Sequence, residues 1–344
     1  MRIKRLLPLA AIAAAAAVLF SGCEAANELA YPDAPYPAQV ENLVITKAPT
    51  SVVSLSPNLT DILQELGYGS TLIGRSDECD QPAEVAALPS VGSAAEPDVE
   101  KIAELGPNLL LSQNSFSKQD LETLSGAGVQ VLCIPAATSF EGLEKIYEDL
   151  ATVFAGKVDG AKKGQTIYSQ VEREINLIVS KLPEKQSFFY AVDLTGTAAT
   201  PDTFDSAVLS LFGDNVASGA GYTADLAAAK EKNPRRFFVA KPYVQNHLAS
   251  SETYKDFAAV KENRVFSIEP ALLQVQSMRT VESVRQIASL LYPDVNFGGE
   301  TGSSSSSGAA SSPASQTTSA NGSSGTDSSA EASSGASSGA NSGQ

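Results

Sequence analysis

Asp159-Gly-Ala-Lys-Lys-Gly-Gln-Thr-Ile167-Tyr-Ser-Gln-Val171-Glu-Arg-Glu-Ile175-Asn-Leu-Ile178-Val-Ser-Lys-Leu182 lies near the middle of the chain. Its apolar positions at 167, 171, 175, 178 and 182 are spaced 4, 4, 3 and 4 residues apart, the repeat of one helix face. A helix of this length, at ~1.5 Å per residue, reaches roughly 36 Å. On its N-terminal side, short apolar runs alternate with helical patterns. Ser51–Leu55, Thr71–Ile73, Leu109–Leu111 and Val129–Ile134 read as strands. Leu59, Ile62, Leu63 and Leu66 follow the first of them at helical spacing, with Gly67 as the stop. Asp98 is placed to cap a helix carrying Val99, Ile102 and Leu105. The same grammar restarts beyond the long helix, with strands at Phe188–Val192, Arg236–Val239 and Arg264–Ile268 and helices at Thr203–Phe212 and Thr280–Leu291. Apolar strands alternating with helices predict parallel sheets covered on both faces. The fold class is therefore α/β: two lobes joined by one long α-helix, with a ligand cleft between them.

The two ends read differently. Residues 1–22 have a basic start (Arg2, Lys4, Arg5) and an apolar run from Leu6 to Phe20, the pattern of an export signal. At about 22 Å that run is too short to span a bilayer. Leu19-Phe-Ser-Gly-Cys23 resembles a bacterial lipobox, so lipidation (palmitate) at Cys23 and anchoring on the outer face of the cell membrane are expected. Residues 23–45, with Pro32, Pro35 and Pro37, read as a lipidated N-terminus and extended tether. Residues 298–344 hold 18 Ser and 9 Gly and read as a disordered tail. Between them lie an N-terminal lobe at 46–157, the backbone helix at 158–183 and a C-terminal lobe at 184–297.

Composition narrows the chemistry. The 344 residues carry 24 Lys and Arg against 39 Asp and Glu; losing the three basic residues of the signal leaves 21 against 39, a net of −18. Such a chain is a poor partner for nucleic acid. One His and three Cys are too few for a histidine-rich metal cage or a zinc ribbon, so no resident metal or cofactor is expected. Between residues 46 and 297 no HExxH, GxSxG or Walker lysine occurs, and Gly67–Gly74 precedes a strand instead of opening a helix, so no enzyme is expected.

Val52-Val-Ser-Leu-Ser-Pro-Asn-Leu-Thr60, Leu72-Ile-Gly74, Leu88-Pro-Ser-Val-Gly92, Pro97–Ile102 and Gly106–Leu110 form an ordered set, continued by Asp202-Thr-Phe204, Gly213–Ala217, Ala259-Val-Lys261 and Arg264-Val-Phe266. The set resembles the vitamin B12 and iron-siderophore class of ABC-importer substrate-binding proteins over about residues 48–294. The resemblance implies the class III periplasmic-binding-protein fold, two Rossmann-like lobes on a rigid helical backbone, with modest closure on ligand. It also implies a monomer that delivers its ligand to an ABC permease dimer.

Carried over by position, the resemblance places ligand-binding loops at Ser56, Pro57 and Asn58, at Asp77 and Asp80, at Ala95 and Glu96, and at Gln113 and Asn114 in the first lobe. In the second lobe it places them at Asp193 and Thr195, at Lys241 and Tyr243, and at Glu269 and Arg279. Many of these are also ordinary turn and cap residues. Glu100 and Asp225, each two residues after a potential N-cap (Asp98, Thr223), are the acids the resemblance assigns to docking on permease arginines; acids near helix N-termini are also favoured by the dipole alone. Ser76-Asp-Glu-Cys-Asp-Gln-Pro82 looks like the corrinoid-binding branch, and the strong negative charge disfavours anionic catecholates. Cobalamin or another corrinoid leads and a ferric siderophore follows. Haem, which needs an axial ligand, is the alternative, and His247 reads as a surface-loop residue. A sensor or adhesin that kept the fold without a permease is the remaining reading. Cys79 and Cys133 are open to pairing, although Cys133 on an apolar strand reads as a buried thiol.

Overall fold

The computed structural model describes residues 34–298 except residue 42. The signal segment, Cys23 and the Ser/Gly tail beyond Gly298 lie outside the described residues. The chain opens on a hairpin of β1 (Ala38–Val40) and β2 (Leu43–Ile45). It continues as β3 (Val52–Ser54), α1 (Pro57–Glu65), β4 (Leu72–Arg75), α2 (Ala83–Ala86), α3 (Val99–Leu105), β5 (Leu109–Ser112), α4 (Lys118–Gly126) and β6 (Gln130–Cys133). These strands form a four-stranded parallel sheet in the order β4-β3-β5-β6. Then come α5 (Phe140–Val179), β7 (Phe188–Ala191), α6 (Phe204–Leu209), a two-residue hairpin β8 (Gly219–Ala220) and β9 (Thr223–Ala224), and α7 (Leu226–Glu231). The chain ends in β10 (Arg236–Ala240), α8 (Gln245–Ser250), α9 (Ala258–Lys261), β11 (Val265–Ile268), α10 (Ala271–Gln274) and α11 (Thr280–Leu291). Strands β11-β10-β7 make a second, separate parallel sheet.

The two-lobe α/β architecture follows from the burial of these mostly apolar strands. Every residue of β3, β5, β7 and β10 is buried, which only a sheet covered on both faces allows. In the second lobe Phe189, Phe237, Tyr254 and Phe257 pack ring against ring on one face, while Phe188 and Phe238 meet on the other.

The backbone helix departs from a single rod. Gly156 has φ +78° and ψ 176°, so α5 is two arms meeting at a sharp turn. The arms run antiparallel. A Cβ built on Gly160 would sit 2.3 Å from the Thr152 Cα, and one on Gly164 would sit 2.5 Å from the Glu148 Cα. Tyr168 donates to the Phe140 carbonyl at 2.9 Å, closing the far end of the pair. The long amphipathic stretch is thus the second arm, residues 157–179. The first arm, from Phe140, lies in what the sequence pattern leaves unassigned; it buries Leu143, Ile146, Tyr147 and Leu150.

The expected tether needs a correction as well. Residues 34–45 are packed, not extended: Ala38, Val40 and Ile45 are buried, Tyr36 donates to the Val153 carbonyl at 2.9 Å, and Lys157 N–H donates to the Pro35 carbonyl at 2.9 Å. The hairpin seals the turn of the two arms. Three prolines suggest a spacer, but the alternation Ala38, Val40 is that of a half-buried strand.

Candidate functional site

Between the lobes lies a cavity of about 530 Å³, within the range of small-molecule sites. Ala136, Ala137 and Thr138, on the turn after β6, line it from the first lobe together with Asn58. The second lobe contributes Asp202 to Asp205 at the start of α6, Gly221 and Tyr222 from the β8–β9 turn, and Leu273, Gln274 and Gln276. Most of these segments follow a strand end or open a helix, while Leu273, Gln274 and Gln276 close α10 and the turn after it. The lining combines apolar residues (Ala136, Ala137, Phe204, Leu273) with amides, hydroxyls and carboxylates. Among the described residues no Lys, Arg or His lines the cavity.

The rim is ordered by its own hydrogen bonds. Asp202 accepts from Thr200 Oγ1 and from the Gly221 N–H at 3.0 Å, and this ties the β8–β9 turn to the start of α6. Thr203 caps α6 by accepting from Ser206 N–H. Tyr222 donates to Asp205 Oδ2 at 3.1 Å. Asp205 is 5% exposed, and burial pushes its carboxyl up to about 6, the Tyr222 hydrogen bond only partly opposing. Burial and then the Asp205 charge push the Tyr222 phenol up to about 12.

A second set of contacts holds the lobes together beside the cavity. Asn58, Asp61 and Glu65 share one face of α1 at spacings of three and four. Asn58 donates to the Gln274 carbonyl at 3.2 Å and accepts from Gln276 N–H at 3.0 Å. Asp61 accepts from Ser277 Oγ and Arg279 Nη1, at 3.2 and 3.1 Å. Glu65 accepts from Met278 N–H at 2.9 Å and from the hydroxyl of Tyr147. Gln276 completes the seam with two hydrogen bonds to the Ala137 backbone. Burial raises both carboxyls above their ordinary values, Arg279 and Ser277 opposing at Asp61 and Tyr147 and Met278 at Glu65.

Of the ligand-binding residues carried over by the resemblance, Asn58 alone lines the inter-lobe cavity. Asp80 and Arg279 line a separate cavity with Asp61, Gln81 and Pro82, where Arg279 pairs with Asp61. Ala95, Glu96 and Asn114 border a smaller first-lobe cavity, with Asn114 donating to the Ala94 carbonyl. Thr195 lies on a second-lobe depression beside His247. Ser56 caps α1 and donates to Gln113 at 2.6 Å, while Pro57 occupies the first helical position. Asp77 accepts from Ser90. Asp193 is consumed by its own turn: although desolvation raises it, hydrogen bonds from Thr197 and Thr195 hold its carboxyl down at about 2. Lys241 faces Glu269 at 3.9 Å, an exposed pair of little energetic weight, and Tyr243 packs edge-on to His247.

Several local expectations change. Thr223 lies in β9 and caps nothing; Asp225 is itself the N-cap of α7, accepting from Ala228 N–H, because β9 runs through Ala224 and the helix starts two residues later than expected. Glu100 lies exposed in the first turn of α3 behind the Asp98 cap. His247 is exposed on α8, not on a loop. Cys79 and Cys133 are both free, and Cys133 is only half-buried. The cavity residues that sequence reasoning missed had partial signals. Ala136–Thr138 lies just beyond the run Val129–Ile134 that reads as a strand, and Asp202-Thr-Phe204 belongs to the ordered motif set. Tyr222 depends on a two-residue hairpin too short to leave a pattern.

Comparison with known proteins bears on this geometry. The chain is 28% identical over 272 residues to the uncharacterized ABC transporter substrate-binding lipoprotein YvrC of Bacillus subtilis, covering 75% of this chain and 84% of that one. It is 22% identical to the vitamin B12-binding protein of Vibrio vulnificus, over 69% of this chain and 88% of that one. Among solved structures, a possible iron-binding (periplasmic solute-binding) protein from Staphylococcus epidermidis superposes with a TM-score of 0.62 at 20% identity, covering 72% of this chain and all of that one. A model of the Periplasmic binding protein family matches residues 52–272, which span both sheets and both arms of α5, and the chain belongs to that family.

Proposed function

We propose that this protein is the lipid-anchored substrate-binding component of an ABC importer and that it captures a corrinoid in the cavity between its lobes. The observation that carries the reading is the cavity lining, which combines apolar residues with Asp, Asn, Gln and Thr and, among the described residues, includes no basic side chain. A corrinoid presents an apolar macrocycle face and a fringe of neutral primary amides. Such amides donate to carboxylates and accept from side-chain amides. Haem propionates and ferric catecholates are anionic and would meet two aspartates with no cation to answer them. Tyr222 is a weak candidate for a haem ligand, because the neighbouring Asp205 charge favours its protonated form. The names of the YvrC and vitamin B12-binding relatives support both the importer role and the ligand class.

Calorimetry or thermal shift against cobalamin, a ferric hydroxamate and haem tests this. Cobalamin at 100 times its dissociation constant should stabilise the fold by ~2.7 kcal/mol. No response to micromolar cobalamin would remove the corrinoid, and a response to haem alone would favour the haem reading.

Delivery is tested separately. Glu100 and Asp225 are exposed, one on each lobe. Replacing both by alanine should lower uptake while ligand affinity stays within about twofold, since neither lines the cavity. Uptake unchanged by the double substitution would refute docking through these acids.

A further inference from the structure

Asp205 stands apart from the other acids of the cavity. It is more than nine-tenths buried, on the first turn of α6, and it is one of the residues that line the inter-lobe cavity. Oδ2 accepts from Tyr222, whereas Oδ1 takes no hydrogen bond among the described residues. Asp202 differs: its carboxylate is exposed and already committed to Thr200 and Gly221. No cation lines the cavity to balance Asp205. A buried carboxylate with a free oxygen facing a ligand cavity favours an incoming N–H or ammonium donor and repels an incoming carboxylate.

Resting on the reading of this cavity as the ligand site, we propose that Asp205 is a specificity-determining residue that selects ligands whose rim carries amide or ammonium donors over otherwise identical ligands carrying a carboxylate. Tyr222 holds the side chain in place through Oδ2 and leaves Oδ1 for the ligand. The discrimination is a difference between two affinities, so it survives changes that weaken both ligands alike.

The test compares cobalamin with its monocarboxylic derivatives, in which one peripheral amide is hydrolysed, by calorimetry at pH 8 on the whole protein. A second pair, ferrioxamine ending in an ammonium or in a carboxylate, covers a siderophore ligand. Wild-type protein should prefer the amide or ammonium member by about tenfold or more for at least one derivative. Asp205→Asn should bring the ratio within about threefold. Asp205→Glu, which keeps the charge, should retain the direction of preference, and Tyr222→Phe, which keeps the charge but frees the side chain, should retain it with a smaller ratio. Because burial holds the Asp205 carboxyl up at about 6, its charged form destabilises the fold at pH 8, and Asp205→Asn should melt at or above the wild-type temperature. Corrinoid binding without preference, or an unchanged preference in Asp205→Asn, overturns the inference and leaves the proposed function standing. A preference confined to the ferrioxamine pair, with no corrinoid bound, keeps the inference and removes the corrinoid. Binding of neither pair overturns both.

Discussion

Gly164→Val is expected to lower the melting temperature by about 6–12 °C, the consequence of losing roughly 3 kcal/mol in a domain of this size. The two arms of α5 touch backbone to backbone at Gly160 and Gly164, four residues apart on one face of the second arm. A Cβ on Gly164 would meet the Tyr147 carbonyl and the Glu148 Cα at 2.5 Å, neither of which is a flexible side-chain end that can swing aside. The arms must separate. That movement opens the core around Tyr147, Leu150 and Tyr168 and unseats the N-terminal hairpin. Gly164→Ala makes the sharper test, because helix propensity alone predicts a gain of about 1 kcal/mol. We expect a loss instead. Thermal or urea denaturation decides it, and an alanine variant more stable than wild type would mean that the arms do not pack as described.

Glu65→Ala should cost about 2–4 kcal/mol, from leaving a buried donor without its acceptor. Tyr147 is fully buried and donates to Glu65, which also receives Met278 N–H from the second lobe. Glu65→Gln keeps an acceptor at the same reach and should lose less than half as much. If the alanine and glutamine variants melt together, the carboxylate's hydrogen bonds are not what holds this seam. The pH dependence has a definite sign. Burial raises the Glu65 carboxyl, so the folded chain keeps its proton where the unfolded chain has lost it, and this group's contribution falls as pH climbs above the ordinary carboxylate range. The glutamine variant should therefore lose less stability over that rise than wild type.

The α/β class, the two separate parallel sheets and the amphipathic helix between them were legible because they rest on local pattern. Phe188–Ala191 and Arg236–Ala240 are apolar at nearly every position, and Ile167 to Ile178 keep one helical face. The capping of α3 by Asp98 was legible for the same reason, being set by residues within four of one another. The turn at Gly156 was not. A glycine inside a periodic stretch is compatible with a continuous helix, and only the opposing arm and the Pro35 carbonyl at that point require its left-handed φ.

The candidate site was less legible than the fold. The positions carried over from the resemblance include Asp77, Asp193 and Lys241, whose polar groups are engaged by Ser90, by Thr195 and Thr197, and by Glu269. Whether a polar side chain faces ligand or its own turn depends on how its loop closes, and a position within a family pattern carries no information about that. Asn58, 216 residues from Gln274, is a different case, since it reads as a helix-start residue and serves as a bridge between lobes. Local periodicity was enough to specify the elements and their class, because hydrophobic spacing acts over a few residues of chain. The cavity, its unbalanced Asp205 and the α1 seam arose only when distant segments were packed together, because desolvation and hydrogen-bond partnership belong to the assembled neighbourhood and not to any stretch of chain.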